Sequence, residues 1–131
     1  MGCALLLVYV NLLPYVSRVH RGLEWMAKYL PDEGHLLSGL LFFGAFASLP
    51  AIPFAAGFVQ RKRLPATFIV SLTTATALLV FWHHDYDLAA DAQAAIGLIF
   101  IPLYTLIVTA AVTGAAAAVE LIVRRNKRVS D

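Results

Sequence analysis

Cysteine occurs once, as Cys3, so no internal disulfide can form and there is no second thiolate for a CxxC redox or metal site. Charge is scarce too: Asp, Glu, Lys and Arg make up 14% of the 131 residues, against roughly a quarter in soluble domains. The middle of every long apolar run is free of Asp, Glu, Lys, Arg and His. Ionisable groups at membrane depth are costly and are kept where a mechanism needs them. Their absence argues against a proton-coupled transporter, a voltage sensor, and an intramembrane metalloprotease or aspartyl protease. No HExxH, GxSxG, GxGxxG or GxxxxGK[ST] pattern occurs, and Ser17, Ser38, Ser48 and Ser71 have no nucleophile-elbow context. The expectation is a protein that is not an enzyme and carries no cofactor. Neither a cleaved signal peptide nor N-terminal acylation is expected. No base precedes Ala4 to Val8, no small-x-small site follows, and Leu6 stands where the acylation signal after Met1-Gly2-Cys3 requires Ser or Thr.

What the chain has in abundance is apolar surface. Hydrophobic residues make up 60% of it, with a mean hydropathy of +0.76, so its natural solvent is lipid. A bilayer core of about 30 Å needs about 20 apolar helical residues. Residues 36–59, 64–82 and 92–119 meet that length without a charge, and 2–17, although shorter and carrying Asn11 and Pro14, is too apolar for water. Four spans are predicted. The Lys and Arg residues cluster in Arg61-Lys62-Arg63 and in the tail from Arg124 to Arg128, which reads as topology signal and excludes a nucleic-acid footprint. Placing both clusters inside puts both termini in the cytoplasm and the segments 18–35 and 83–91 outside.

Between the first two spans, Val19, Leu23, Met26 and Leu30 recur at helical spacing, opposite His20, Arg21, Glu24 and Lys28. This predicts an amphipathic interfacial helix over 19–30, closed by Pro31. Pro50 and Pro53 predict a kink in the second span, because each removes a donor and leaves the carbonyls of Phe46 and Leu49 without their usual partners. Such carbonyls can line a solute site, or be satisfied by Ser48 or a neighbouring helix. Gly44, Ala47 and Ala51, together with Ala110, Gly114 and Ala118, form small-residue strips that allow close helix packing. Thr67, Ser71 and Thr74 line one helix face, and Thr105, Thr109 and Thr113 another; hydrogen-bonded packing is the simpler account of both. Glu120, four residues before Arg124, is expected to form a local ion pair.

The densest chemistry lies between Phe81 and Asp91. His83, His84, Asp85, Asp87 and Asp91 fall on the expected outer face, with Glu33 and His35 from the other outer connection. His84, Asp87 and Asp91 at i, i+3 and i+7 could ligate a divalent metal. The simpler account is that one of the acids caps a helix N-terminus, and a third is that the histidines form a pH-dependent contact.

Together these observations predict an all-α integral membrane protein, a four-transmembrane-helix bundle with one interfacial amphipathic helix. It forms a single domain over residues 1–131, multi-pass in a cell inner membrane. Its expected partners are the lipid bilayer and a second membrane protein or further copies of itself. The function expected is non-catalytic binding of another membrane protein, as by an immunity protein against a membrane-active toxin or an accessory subunit of a membrane complex. In size and span count the chain is similar to colicin-type immunity proteins, a likeness of architecture that transfers no residues. The alternative is a small oligomeric carrier or channel for a cation or small solute, with the Pro50/Pro53 kink and an outer His/Asp mouth.

Overall fold

A computed structural model describes residues 2–22, 41, 44–85 and 96–130. Among these residues the chain is all-helical, with four helices: α1 (Gly2–His20), α2 (Ala51–Gln60), α3 (Pro65–Asp85) and α4 (Gly97–Ser130). Two of them, over Pro65–His84 and Gly97–Lys127, are long and apolar enough to cross a membrane, while Ala4–His20 and Gly44–Gln60 are shorter apolar helices.

Each boundary has a local cause. α1 runs three residues past the predicted end at Ser17 and takes in Arg18 and His20, bases that suit the negative end of the helix dipole. It stops where the amides of Arg21 and Gly22 turn back to the carbonyls of Arg18 and Val19, and Gly22 takes φ +71°, a left-handed conformation that glycine adopts at no steric cost. The interfacial helix predicted over 19–30 therefore does not begin at 19, and its portion from 23 onward lies outside the described residues.

In the second apolar run the helical bonding tightens at the prolines. A helical turn at 44–47 gives way to a turn over 48–50 before α2 begins. Pro50 and Pro53 cannot donate to Phe46 and Leu49, so these carbonyls accept from Leu49 N (3.0 Å) and Ile52 N (3.1 Å), each only three residues ahead. α3 starts with Pro65 at its first position, where the missing N–H costs nothing. α4 continues to Ser130, well past the predicted limit of 119. Leu121, Ile122 and Val123 extend its apolar run, and the Glu120–Arg124 pair at 2.9 Å supports the turn that follows.

Contacts set the directions of the helices. Tyr9 Oη and Thr76 Oγ1 share a hydrogen bond of 2.8 Å, and further along both helices Arg18 reaches His83, so α1 and α3 are parallel. Asn11 donates to Ser48 Oγ, Tyr9 stacks on Phe54, and Gly2 lies against Phe58, so α2 runs against α1. Thr67 meets Glu120 and Trp82 meets Tyr104, so α4 runs against α3. One end of the bundle thus gathers Gly2, the 61–64 connection and Glu120, and the other gathers His20, His83 and His84. Between them, Val10, Ala51, Phe54 and Leu79 form the core, with Leu6, Tyr9, Leu13 and Leu72 packed around it. α3 contributes one buried face at steps of four: Thr67, Ser71, Ala75, Leu79 and His83.

Candidate functional site

The ends of α1 and α3 meet, and the meeting is polar. Arg18 is fully buried at 0% exposure, and its Nε donates to His83 Nδ1 at 3.1 Å, with His83 itself 4% exposed. An imidazole that accepts at Nδ1 carries its proton on Nε2, so one tautomer of His83 is held by a buried cation. Ser17 Oγ donates to Val80 O, Arg21 Nε donates to His84 O at a long 3.4 Å, and the His20 and His84 rings lie 6.4 Å apart. Two arginines and three histidines from elements far apart in sequence therefore converge at one end of the bundle.

Sequence reasoning had assembled this end from acids and histidines. His83 and His84 are there, but the structure pairs them with the end of α1. The backbone of Asp85 closes α3, while Asp87, Asp91, Glu33 and His35 lie outside the described residues. Among the described residues no three His, Cys, Asp or Glu side chains come together as a metal would require, and the other two members of the expected metal set, Asp87 and Asp91, are not among them.

At the opposite end, Glu120 Oε2 accepts from both Thr67 N and Thr67 Oγ1 at 2.9 Å, and its Oε1 accepts from Arg124 at 2.9 Å. The local ion pair expected of Glu120 is present. The carboxylate does more, because it also caps the first turn of α3 from a neighbouring helix and ties α3 to α4. The signal for this second role was Thr67, three residues into a helix whose own N-terminus has no acid to cap it.

The small residues divide. Ala51 is buried in the core, Ala47 is half-buried, and a Cβ added at Gly44 would meet nothing within 4 Å. Ala110, Gly114 and Ala118 are exposed on the outward side of α4, where an added Cβ at Gly114 also meets nothing, so among the described residues they pack against no helix. The Phe46 and Leu49 carbonyls that could have lined a solute site are occupied by local amides, and Pro50 and Pro53 are themselves buried.

The hydroxyl ladder faces inward. Thr105 and Thr109 on α4 and Ser71 on α3 are fully buried, and their oxygens, with that of Thr113, find no hydrogen-bond partner among the described residues. An unsatisfied buried hydroxyl costs more than a methyl of the same shape. Thr105→Val and Thr109→Val are therefore expected to stabilise the protein by about 1 kcal/mol each, read as a rise in unfolding temperature in detergent. A loss would mean that the hydroxyls are bonded in the folded protein.

Comparison with protein-family models, with characterised proteins and with solved structures finds no match.

Proposed function

We propose that this chain is a multi-pass inner-membrane protein that acts without catalysis, by binding another membrane-embedded protein along the outward face of α4. The observation that carries this reading is how little of the most apolar part of α4 is covered among the described residues. Its most apolar 18-residue stretch has a mean hydropathy of 2.2, yet only 6% of that stretch is buried, against 22% for the corresponding stretch of α3. On the outward side of that stretch Ala110, Gly114 and Ala118 recur at steps of four with Ala111 beside them, all exposed. In lipid, where apolar burial gives no net drive, helices associate by close backbone approach, and small residues permit it. The polar groups that could have suggested chemistry are already engaged in holding helices together, Arg18 with His83 and Thr67 with Glu120.

Four passes with both termini cytoplasmic agree with the sidedness of the bundle, since the base-only connection at 61–63 lies at the same end as Gly2 and Glu120. The partner is of the kind met by an immunity protein or an accessory subunit.

The test is co-purification in mild detergent from the native host. A Cβ added at Gly114 meets nothing among the described residues, so for Gly114→Leu the unfolding temperature should stay that of the wild type while retention of the partner falls by about tenfold or more, the equivalent of about 1.4 kcal/mol. A wild-type protein that purifies alone, or a Gly114→Leu variant that keeps its partner, overturns the assignment.

A further inference from the structure

On the other side of α4 from the small-residue strip, α3 and α4 border an open groove of about 710 Å³. Its walls are apolar, with Val70 from α3 and Val112, Ala116 and Val119 from α4, and its mouth carries Arg124 and Lys127 beside Glu120. We propose that this groove binds one acyl chain of an anionic phospholipid, with the lipid phosphate held by Lys127 and Arg124. The proposal rests on the membrane reading above and adds a ligand to it.

Length is the first argument. From Val112 to Val123, the last apolar wall residue, α4 rises about 16 Å at 1.5 Å per residue. One leaflet of hydrocarbon is about 15 Å deep, half of a bilayer core. The wall thus matches one leaflet, and the bases begin where the headgroups would lie. A second helix, about 10–12 Å across, would need the groove to stay apolar to its end and would bury the charges there.

Charge is the second argument. Glu120 is engaged on both oxygens, by Thr67 and by Arg124, so it is not available to answer Lys127. Lys127 is exposed and makes no ion pair among the described residues. Arg124 is half-exposed, at 45% of its side chain, and commits one nitrogen to Glu120, leaving further N–H donors of its planar guanidinium. Lys62 and Arg63, also exposed and without an ion pair among the described residues, stand just before the first turn of α3, whose Ala66 lines the same groove. A surplus of cations around a depression with an apolar floor matches a phosphate attached to a hydrocarbon chain. It does not match a free anion, which has no use for the floor. Anionic headgroups are preferred over zwitterionic ones, because the latter bring a cation of their own to a cationic rim.

The experiment is native mass spectrometry of the detergent-purified protein titrated with dioleoyl phosphatidylglycerol or dioleoyl phosphatidylcholine, with bilayer retention measured separately by alkaline extraction of reconstituted liposomes. The wild type should retain phosphatidylglycerol over phosphatidylcholine. Lys127→Glu, at an exposed position that leaves the fold alone, should erase that preference through a loss of about tenfold or more in phosphatidylglycerol binding. Ala116→Phe fills the groove without touching the bases and should weaken both lipids, with helicity by circular dichroism confirming that the variant is folded. If the protein stays in the bilayer but holds both lipids equally, or if both variants bind as the wild type does, the lipid site is overturned and the membrane reading stands. A protein stripped from liposomes by alkali overturns both.

Discussion

His83→Ala is expected to lower the stability of the detergent-solubilised protein by about 3 kcal/mol, the usual scale for removing one partner of a buried charged contact. Arg18 is at 0% exposure, and its Nε would lose the acceptor it has at 3.1 Å while the guanidinium stayed where it is. Asparagine carries an amide oxygen close to the position of the imidazole Nδ1, so His83→Asn should hold the loss to about 1 kcal/mol, the worth of an ordinary hydrogen bond made slightly less well. The comparison between the two variants separates the bond from the volume of the ring. Chemical unfolding of both in the same detergent measures it, and equal losses would show that the contact is packing alone.

Phe54→Ala is expected to cost about 3 kcal/mol. The ring is fully buried and lies 6.1 Å from both the Tyr9 and Phe68 rings, so it joins α2 to α1 and to α3. α2 has only ten residues, too few to persist without tertiary contacts. The figure is at the low end for Phe→Ala because detergent or lipid solvates the removed ring in the unfolded reference nearly as well as the core does. What remains is the lost dispersion and the cavity. Phe54→Leu should lose under about 1.5 kcal/mol. Phe58, half-buried beneath the Arg61 guanidinium at 3.8 Å, should tolerate alanine better than Phe54 does. Unfolding midpoints of the three variants rank them, and a Phe54→Ala midpoint equal to that of the wild type would remove this residue from the core.

Which features could be read from the residues follows from how local their causes are. The start of α3 needed only Pro65, and the disturbance in the second apolar run needed only Pro50 and Pro53. The form of that disturbance was less visible, since which amides take over the freed carbonyls, here those three residues ahead, is set by the local backbone and not by the prolines alone. The helical tail of α4 was hidden because Arg124 to Arg128 reads as a topology signal, which marks the side of a segment and not its conformation, although the same bases suit a helix C-terminus. The pairing of Arg18 with His83 was the furthest from view, because its partners are 65 residues apart. Arg18 follows a span predicted to end at Ser17, and such a residue is ordinarily a surface anchor. The available clue was phase. Steps of four from Thr67 through Ser71, Ala75 and Leu79 arrive at His83, and on α1 Val10, Pro14, Ser17 and Arg18 fall on one stripe. Following both stripes one turn beyond the apolar runs leads to the two residues that meet.

That α1 and α3 are parallel neighbours also bears on the order in which the chain is assembled. α1 is made first, but the imidazole that receives its arginine is made only near the end of α3. During synthesis Arg18 is therefore without His83 while the turn at 48–50 and the 61–64 connection are laid down. Only when α3 is complete to His83 can that contact form. A chain cut off before His83 lacks the acceptor that Arg18 Nε uses, so this contact between the two helix ends is one of the last available as the first three helices are made.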